Sequence, residues 1–395
     1  MQTVANPDKQ IKVIQAFDSY LDTTTNWIYS LLDAVPDVQM VIAAERFVPC
    51  NFYSSKFKYV EFPIRSSEHN KDQLGTRLWN KLVPFALRYY PRMVADSVRD
   101  ASLIHSHFSF VGWNFRKVAK LLDIPHVISF YGFDYEYLPR CFPEWRKRYA
   151  VLLDSASMLL CEGNHGAAIL ERMGCPAEKI QVARLGVSAE NIPFFNRHKE
   201  PGCLNLLQVA SFSEKKGHIY TVMAFIEALK SCPNMTLTLV GREHSREGGN
   251  VTQQVKSLVS GTPAEERVRF LTHIDFSRLH EFFAAYDVFI HPSCYTRLKD
   301  CEGGAPIVLL DAQATGMPII STVHCDIPDE VVDGVTGLLS PEKDVNGIAN
   351  SIRRFYEMDQ AEYDRYAHAA REHVRKEFDP RDCGLKLREI YARLL

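Results

Sequence analysis

Along most of the chain, short apolar runs alternate with segments of helical period. In the first half IKVIQAF (11–17), MVIAAE (40–45), SLIHSHF (102–108), HVISFYG (126–132), SMLLCEG (157–163) and IQVARLG (180–186) read as strands. NWIYSLLDAV, WNFRKVAKLL and HGAAILERMG read as helices between them. The pattern restarts with NLLQVAS (205–211), MTLTLVG (235–241), VRFLTHI (268–274), DVFIHPS (287–293) and PIISTV (318–323), and HIYTVMAFIEALKS and FSRLHEFFAAY supply helices. Strands that are apolar on both faces belong to parallel sheets covered by helices. The polar stretch FNRHKEPG (195–202), with its Pro and Gly, reads as a linker. The pattern thus predicts an α/β chain of two doubly wound domains, 1–198 and 199–378, facing each other across a cleft. A charged helical tail breaks at Pro380, and its last part, 379–395, is placed to cross back onto the first domain. Ligands of such sheets sit beyond the carboxyl ends of the strands.

At 395 residues, 46% of them hydrophobic, the chain suits two cores. Lys plus Arg is 46 and Asp plus Glu is 48, so the net charge of -2 gives no electrostatic case for nucleic acid. The ten cysteines are scattered, with no CxxC pair and no close Cys/His grouping along the sequence. That suggests neither a zinc site nor a disulfide framework, and no metal is expected. The N-terminus lacks a cationic segment followed by an apolar one, and no run approaches a membrane span, so a cytoplasmic location is expected. WNKLVPFALRYYPRMVADSVR (79–99) reads either as a peripheral membrane contact at the inner face or as a core helix with a wet face.

The densest candidate chemistry is DCEGGAPIVLLDAQATGMP (300–318). Pro306 suits a helix start, and Gly316 with Pro318 marks its end, so 306–315 reads as a helix. Its N-terminus could take a phosphate, with Gly303 and Gly304 letting the backbone approach. Asp311 lies roughly 7.5 Å further along the axis, where it could hold hydroxyls. The alternative is a buried helix with a solvated acid at each end.

EKKGH (214–218), DVFIHPS, EGGAPIVLLDAQATGMPIIST (302–322) and IPDEVVDGVTGLL (327–339) together resemble the retaining glycosyltransferases of family 4, bacterial polysaccharide-building type. SLIHSHF, SFYGFD (129–134) and ARLGV (183–187) extend the likeness into the first half. The resemblance implies the GT-B fold, two Rossmann-like domains with the acceptor on the first and the nucleotide-sugar donor on the second. It also implies transfer of a sugar from a nucleoside diphosphate sugar to a sugar or lipid-linked glycan in cell-surface polysaccharide or lipopolysaccharide assembly. The nucleotide sugar is then a substrate, and neither cofactor nor metal is called for. The DCE at 300–302 lies in the donor loop, away from the strand context of a metal-binding DxD.

By the same resemblance Glu302 lies by the transferred sugar and Asp311 by the ribose, one residue further apart than the family's E-x7-E. Ala305 and Pro306 complete the donor segment. The family's Arg and Lys on the pyrophosphate correspond to Ser211 and Lys216, and a departing diphosphate needs such a cation. Taken alone, Lys216 reads as a surface lysine in a turn. On the acceptor side the family's His-Gly-x-Asp corresponds to Tyr131, Gly132, Phe133 and Asp134. Asp134 could bind an acceptor hydroxyl or cap the next segment. His107 is the remaining catalytic candidate in the first half, and its alternative is a satisfied histidine beneath the cleft. DSYLDTTTNWIYS (18–30) could form an acceptor pocket with Trp27, while Thr25 or Asn26 could equally cap a helix. Two other readings stand beside the transferase: a nucleotide-sugar 2-epimerase, and a catalytically silent binding subunit of an assembly complex.

Overall fold

The computed structural model describes residues 11–21, 27–48, 54–61, 91–244 and 250–395. The first domain holds a seven-stranded parallel sheet in the order β3-β2-β1-β4-β5-β6-β7. Its strands are β1 (Ile11–Tyr20), β2 (Val38–Phe47), β3 (Lys58–Glu61), β4 (Leu103–His107), β5 (His126–Ser129), β6 (Met158–Cys161) and β7 (Ile180–Val182). The second domain holds six strands in the order β10-β9-β8-β11-β12-β13. These are β8 (Leu204–Val209), β9 (Met235–Val240), β10 (Val268–Leu271), β11 (Val288–His291), β12 (Ile319–Thr322) and β13 (Gly337–Ser340). Both sheets are doubly wound, as the pattern predicted. Strand order reverses between β1 and β4 in one sheet and between β8 and β11 in the other, which opens a crevice beyond each reversal.

Every predicted strand is present, and two more complete the sheets: β3 and β13, each at an edge. KYVE has no buried residue and so carries no core signal. GLLS is too short for its apolar pair to stand out. Central strands such as LIHSH are buried throughout despite three polar residues, because those side chains hydrogen-bond to polar groups on neighbouring elements.

The chain breaks where Pro380 cannot continue the helix Gln360–Glu377. Asp379 caps the final helix, Pro380–Arg393, by accepting from the Arg381 amide. That helix packs on the first domain: Leu387, Ile390 and Tyr391 join the core formed by β1, β2 and the helix Trp27–Asp33. Gly384 lies against the Ala34 carbonyl, where a Cβ would collide. Thr25, Asn26 and residues 79–90 lie outside the described residues.

Candidate functional site

Both reversals open into one cleft of about 630 Å3 between the domains. A volume of that order suits a small-molecule ligand. The second domain's wall comes from the turn after β8 and the loop after β11. Gly217, at φ +69, closes the turn Glu214–Lys216 against the Pro292 carbonyl, where any Cβ would collide. This sets Lys216 on the cleft wall with its Nζ 2.6 Å from Glu302 Oε2. Ser293 Oγ donates to Glu302 Oε1 at 2.8 Å, and the buried His291 Nε2 lies 3.8 Å from the same oxygen. Burial works to raise the Glu302 carboxyl, but Lys216, followed by His291 and Lys215, outweighs it and holds the group well below the usual carboxylate range. Glu302 is therefore an ionised, oriented carboxylate on the wall.

Ser211, Ala305 and Pro306 line the same cleft. The glycines between them act differently from their predicted part. Gly303, at φ +92, and Gly132 are pressed backbone to backbone across the domain boundary, and a side chain on either would strike the other's loop. Gly304 is equally tight against Glu162. The glycine pair lets the two domains close, and it is Gly132 that reaches the cleft wall. The helix begins at Val308, two residues later than predicted, and runs only to Ala314. Asp311, 7% exposed, is turned to His280, with Oδ1 2.9 Å from Nε2, and it does not line the cleft.

The family model described as Glycosyl transferases group 1 matches residues 192–373, and that described as Glycosyltransferase Family 4 matches 53–191. The amylovoran biosynthesis glycosyltransferase AmsK of Erwinia amylovora is 28% identical over 77% of this chain and 74% of its own. The provisionally named colanic acid biosynthesis glycosyltransferase WcaL of Salmonella typhimurium is 30% identical over 73% of this chain and 70% of its own. The chain belongs to the family 4 glycosyltransferases. Anabaena HepE, solved in complex with UDP and glucose, shares the fold with a TM-score of 0.74 at 16% identity, over 97% of this chain and all of that one. A glycosyltransferase from Rickettsia africae does so with 0.73 at 15%, over 98% of each.

The first domain of this glycosyltransferase offers the cleft a neutral, aromatic wall: Trp27, Phe108, Tyr131 and Phe133. The Trp27 and Phe108 rings pack 5.1 and 4.6 Å from that of Tyr131. Behind Tyr131 runs a buried chain of polar groups. Its hydroxyl is 2.8 Å from His107 Nδ1, and His107 Nε2 is 3.0 Å from the Gln15 carbonyl oxygen. Gln15 Nε2 donates to the Tyr391 hydroxyl at 2.9 Å, Tyr391 lies 2.7 Å from His105 Nδ1, and His105 Nε2 is 2.7 Å from Ser129 Oγ. Burial, with each histidine opposing the charging of the next, pushes His107 well below its usual range and His105 to about 3. Both are neutral, so the bonds run one way: Tyr131 donates to His107, His107 to Gln15, Gln15 to Tyr391, Tyr391 to His105 and His105 to Ser129. His107 has no exposure and orients Tyr131 from beneath.

Asp134 is fully buried. It accepts from the Ser109 amide at 3.0 Å and the Ser109 hydroxyl at 2.6 Å, and from the Tyr131 amide at 2.9 Å, so it ties the Tyr131 loop to the helix Ser109–Leu122. It does not face an acceptor.

Two features escaped the sequence reading. Glu162, just past β6, lines the cleft opposite the lysine, and burial first and Asp326 second raise its carboxyl to about 8. Only the fold brings those acids together. The other is a spatial Cys/His grouping that the linear spacing hid: ligand atoms of His165, Cys301 and Cys325 all lie within 4.8 Å of one another.

Proposed function

We propose that this glycosyltransferase moves a sugar, with retention of configuration, from a nucleoside diphosphate sugar to a hydroxyl of a sugar or lipid-linked glycan during cell-surface polysaccharide assembly. The observation that carries the reading is the Lys216–Glu302 pair, set at 2.6 Å on the charged wall of a cleft whose other wall is aromatic and neutral. The relatives named for amylovoran and colanic acid biosynthesis support the product class.

The roles follow from the chemistry of each wall. A departing diphosphate gains negative charge as the glycosidic bond breaks, and the Lys216 ammonium stands where it can meet that charge. Glu302, fixed by Lys216, Ser293 and His291, offers carboxylate oxygens to sugar hydroxyls and holds the donor for attack. Among the described residues no nucleophile and base stand paired on the first domain's wall. A front-face displacement needs neither, since the leaving phosphate oxygen accepts the proton from the attacking hydroxyl. Tyr131 donates its hydroxyl hydrogen bond to His107, which fixes its ring on the cleft wall. Aromatic rings beside it suit the apolar face of a sugar. With a lysine supplying the charge, the reaction is proposed to run without a metal at the diphosphate. Among the described residues no helix is long and apolar enough to cross a membrane, and a cytoplasmic enzyme meeting its acceptor at the inner membrane face fits this reading.

Thermal unfolding in the presence of UDP, GDP, ADP or dTDP tests the donor site, because a ligand that binds only the folded state raises its stability. One diphosphate should raise the Tm of the wild type and have a much smaller effect on Lys216→Ala. UDP is the first to try, given the UDP-bound HepE neighbour. No stabilisation by any of the four at millimolar concentration would turn the reading toward a silent subunit.

A further inference from the structure

We propose that His165, Cys301 and Cys325 form a binding site for one soft divalent cation of the zinc class, set across the domain boundary immediately before Glu302. The three come from separate parts of the chain. His165 opens the helix Asn164–Arg172 of the first domain, Cys301 precedes Glu302 in the second, and Cys325 follows β12. Their ligand atoms lie within 4.8 Å of one another. Zinc–sulfur bonds of about 2.3 Å and zinc–nitrogen bonds of about 2.0 Å place tetrahedral ligands roughly 3.4–3.8 Å apart, so contraction by about 1 Å completes the geometry. Two thiols and an imidazole are a ligand set that selects zinc-class ions over magnesium or calcium.

The surroundings already orient these groups. Tyr295 places its hydroxyl 3.0 Å from His165 Nε2, and outer contacts of this kind fix a ligating ring. His324, itself 2.7 Å from a Glu342 oxygen through Nδ1, sets its Nε2 3.2 Å from Cys325 Sγ. Cys325 is held at φ +48, a conformation that costs a non-glycine residue energy and clusters at sites where a side chain must be aimed. Cys301 is fully buried and the other two are partly exposed, which leaves the ion a path in and a fourth position for water. On binding, each thiol releases its proton to solvent and the sulfur ligates as thiolate.

Such an ion would pin the loop carrying Glu302 to the first domain. It would hold the cleft in the closed arrangement in which Gly132 and Gly303 touch. Its role is to set the domain geometry, and it takes no part in the transfer chemistry proposed above. Its test reads metal binding alone, so its failure leaves the transferase reading standing, and the reverse.

The experiment is a titration of the reduced, chelator-treated full chain with Co2+, followed by optical absorption. One equivalent should bind with a thiolate-to-cobalt charge-transfer band and the d–d bands of a tetrahedral site, and Zn2+ should displace it. Cys325→Ser and His165→Ala should each weaken binding by at least about tenfold. Cys203→Ser, a cysteine just before β8, should leave it unchanged. His165 sits in the first turn of its helix, so His165→Ala reports on the site even if a cysteine variant unfolds, and circular dichroism checks each fold. Absence of the charge-transfer band in the wild type, or its persistence at full affinity in His165→Ala or in folded Cys325→Ser, overturns the proposal.

Discussion

Two glutamates face the same cleft from opposite domains, and their surroundings drive them to opposite states. Glu302 has a lysine at 2.6 Å, a serine donor and a histidine, and it is held ionised. Glu162 has acids for neighbours, Asp326 and Glu302 among them, and keeps its proton up to about pH 8. Burial opposes charge in both, so the difference lies in the partners. The lesson extends to the walls. On the wall proposed to meet a diphosphate, the second domain keeps a fixed cation and a fixed anion. On the wall proposed to meet a neutral sugar, the first domain keeps its histidines uncharged and its tyrosine held by His107.

Breaking the charged side should have the largest effect. Glu302→Ala and Lys216→Ala are each expected to lower transfer on the order of a hundredfold, the loss typical when one preorganised group that meets developing charge is removed. Circular dichroism should show both variants folded. Steady-state transfer from the nucleotide sugar found in the stabilisation screen is the measurement. Turnover within twofold of wild type in both purified variants would remove the pair from the reaction.

The neutral carboxyl sharpens the comparison through pH. Well below its unfolded-state value of 4.5 Glu162 is protonated in both states and has no effect. Between 4.5 and about 8 the native state holds a proton that the unfolded chain has lost, so this residue makes stability fall as pH rises, and the loss levels off above about 8. Glu162→Gln should remove that slope. The variant should match wild type well below pH 4.5 and exceed it above pH 8 by about 1–3 kcal/mol in denaturant unfolding, a range reduced from the full shift because the site is partly open. Parallel stability curves for the two proteins would show that Glu162 ionises freely.

The contrast between the walls also explains what could be read before folding. The strands were legible because burial on both faces leaves continuous apolar runs, and only KYVE and GLLS, at sheet edges, lack that mark. Lys216 and Glu302 were legible because one loop motif and one turn motif carry them. Gly303 and Gly304 were recognised as special, but their reason, a backbone contact with the Gly132 loop and with Glu162, spans the domain boundary and has no local trace. The same holds for Glu162 with Asp326, for Asp311 turned to His280, and for His165 with two cysteines more than a hundred residues away. Asp134 stayed open between two roles because an acid after a turn has the same spelling whether it binds a ligand or ties a loop.

The smallest expected effect concerns how the neutral wall is held. Tyr391, on the final helix, accepts from Gln15 and donates to His105, so it joins the two halves of the chain of hydrogen bonds that ends at Tyr131. Tyr391→Phe keeps the ring in the core but leaves His105 Nδ1 without a partner and the Gln15 amide with only the Met40 sulfur. A buried polar group left unpaired costs about 1–3 kcal/mol, and local rearrangement of Gln15 should keep the observed loss near the lower end, about 1 kcal/mol in denaturant unfolding. Lys216 and Glu302 stand on the other domain, so nucleotide stabilisation of the variant should equal that of wild type. If Tyr391→Phe instead abolished the response to the diphosphate, the two walls would be coupled through the crossing helix, and the division between a charged donor side and an independently built neutral side would fail.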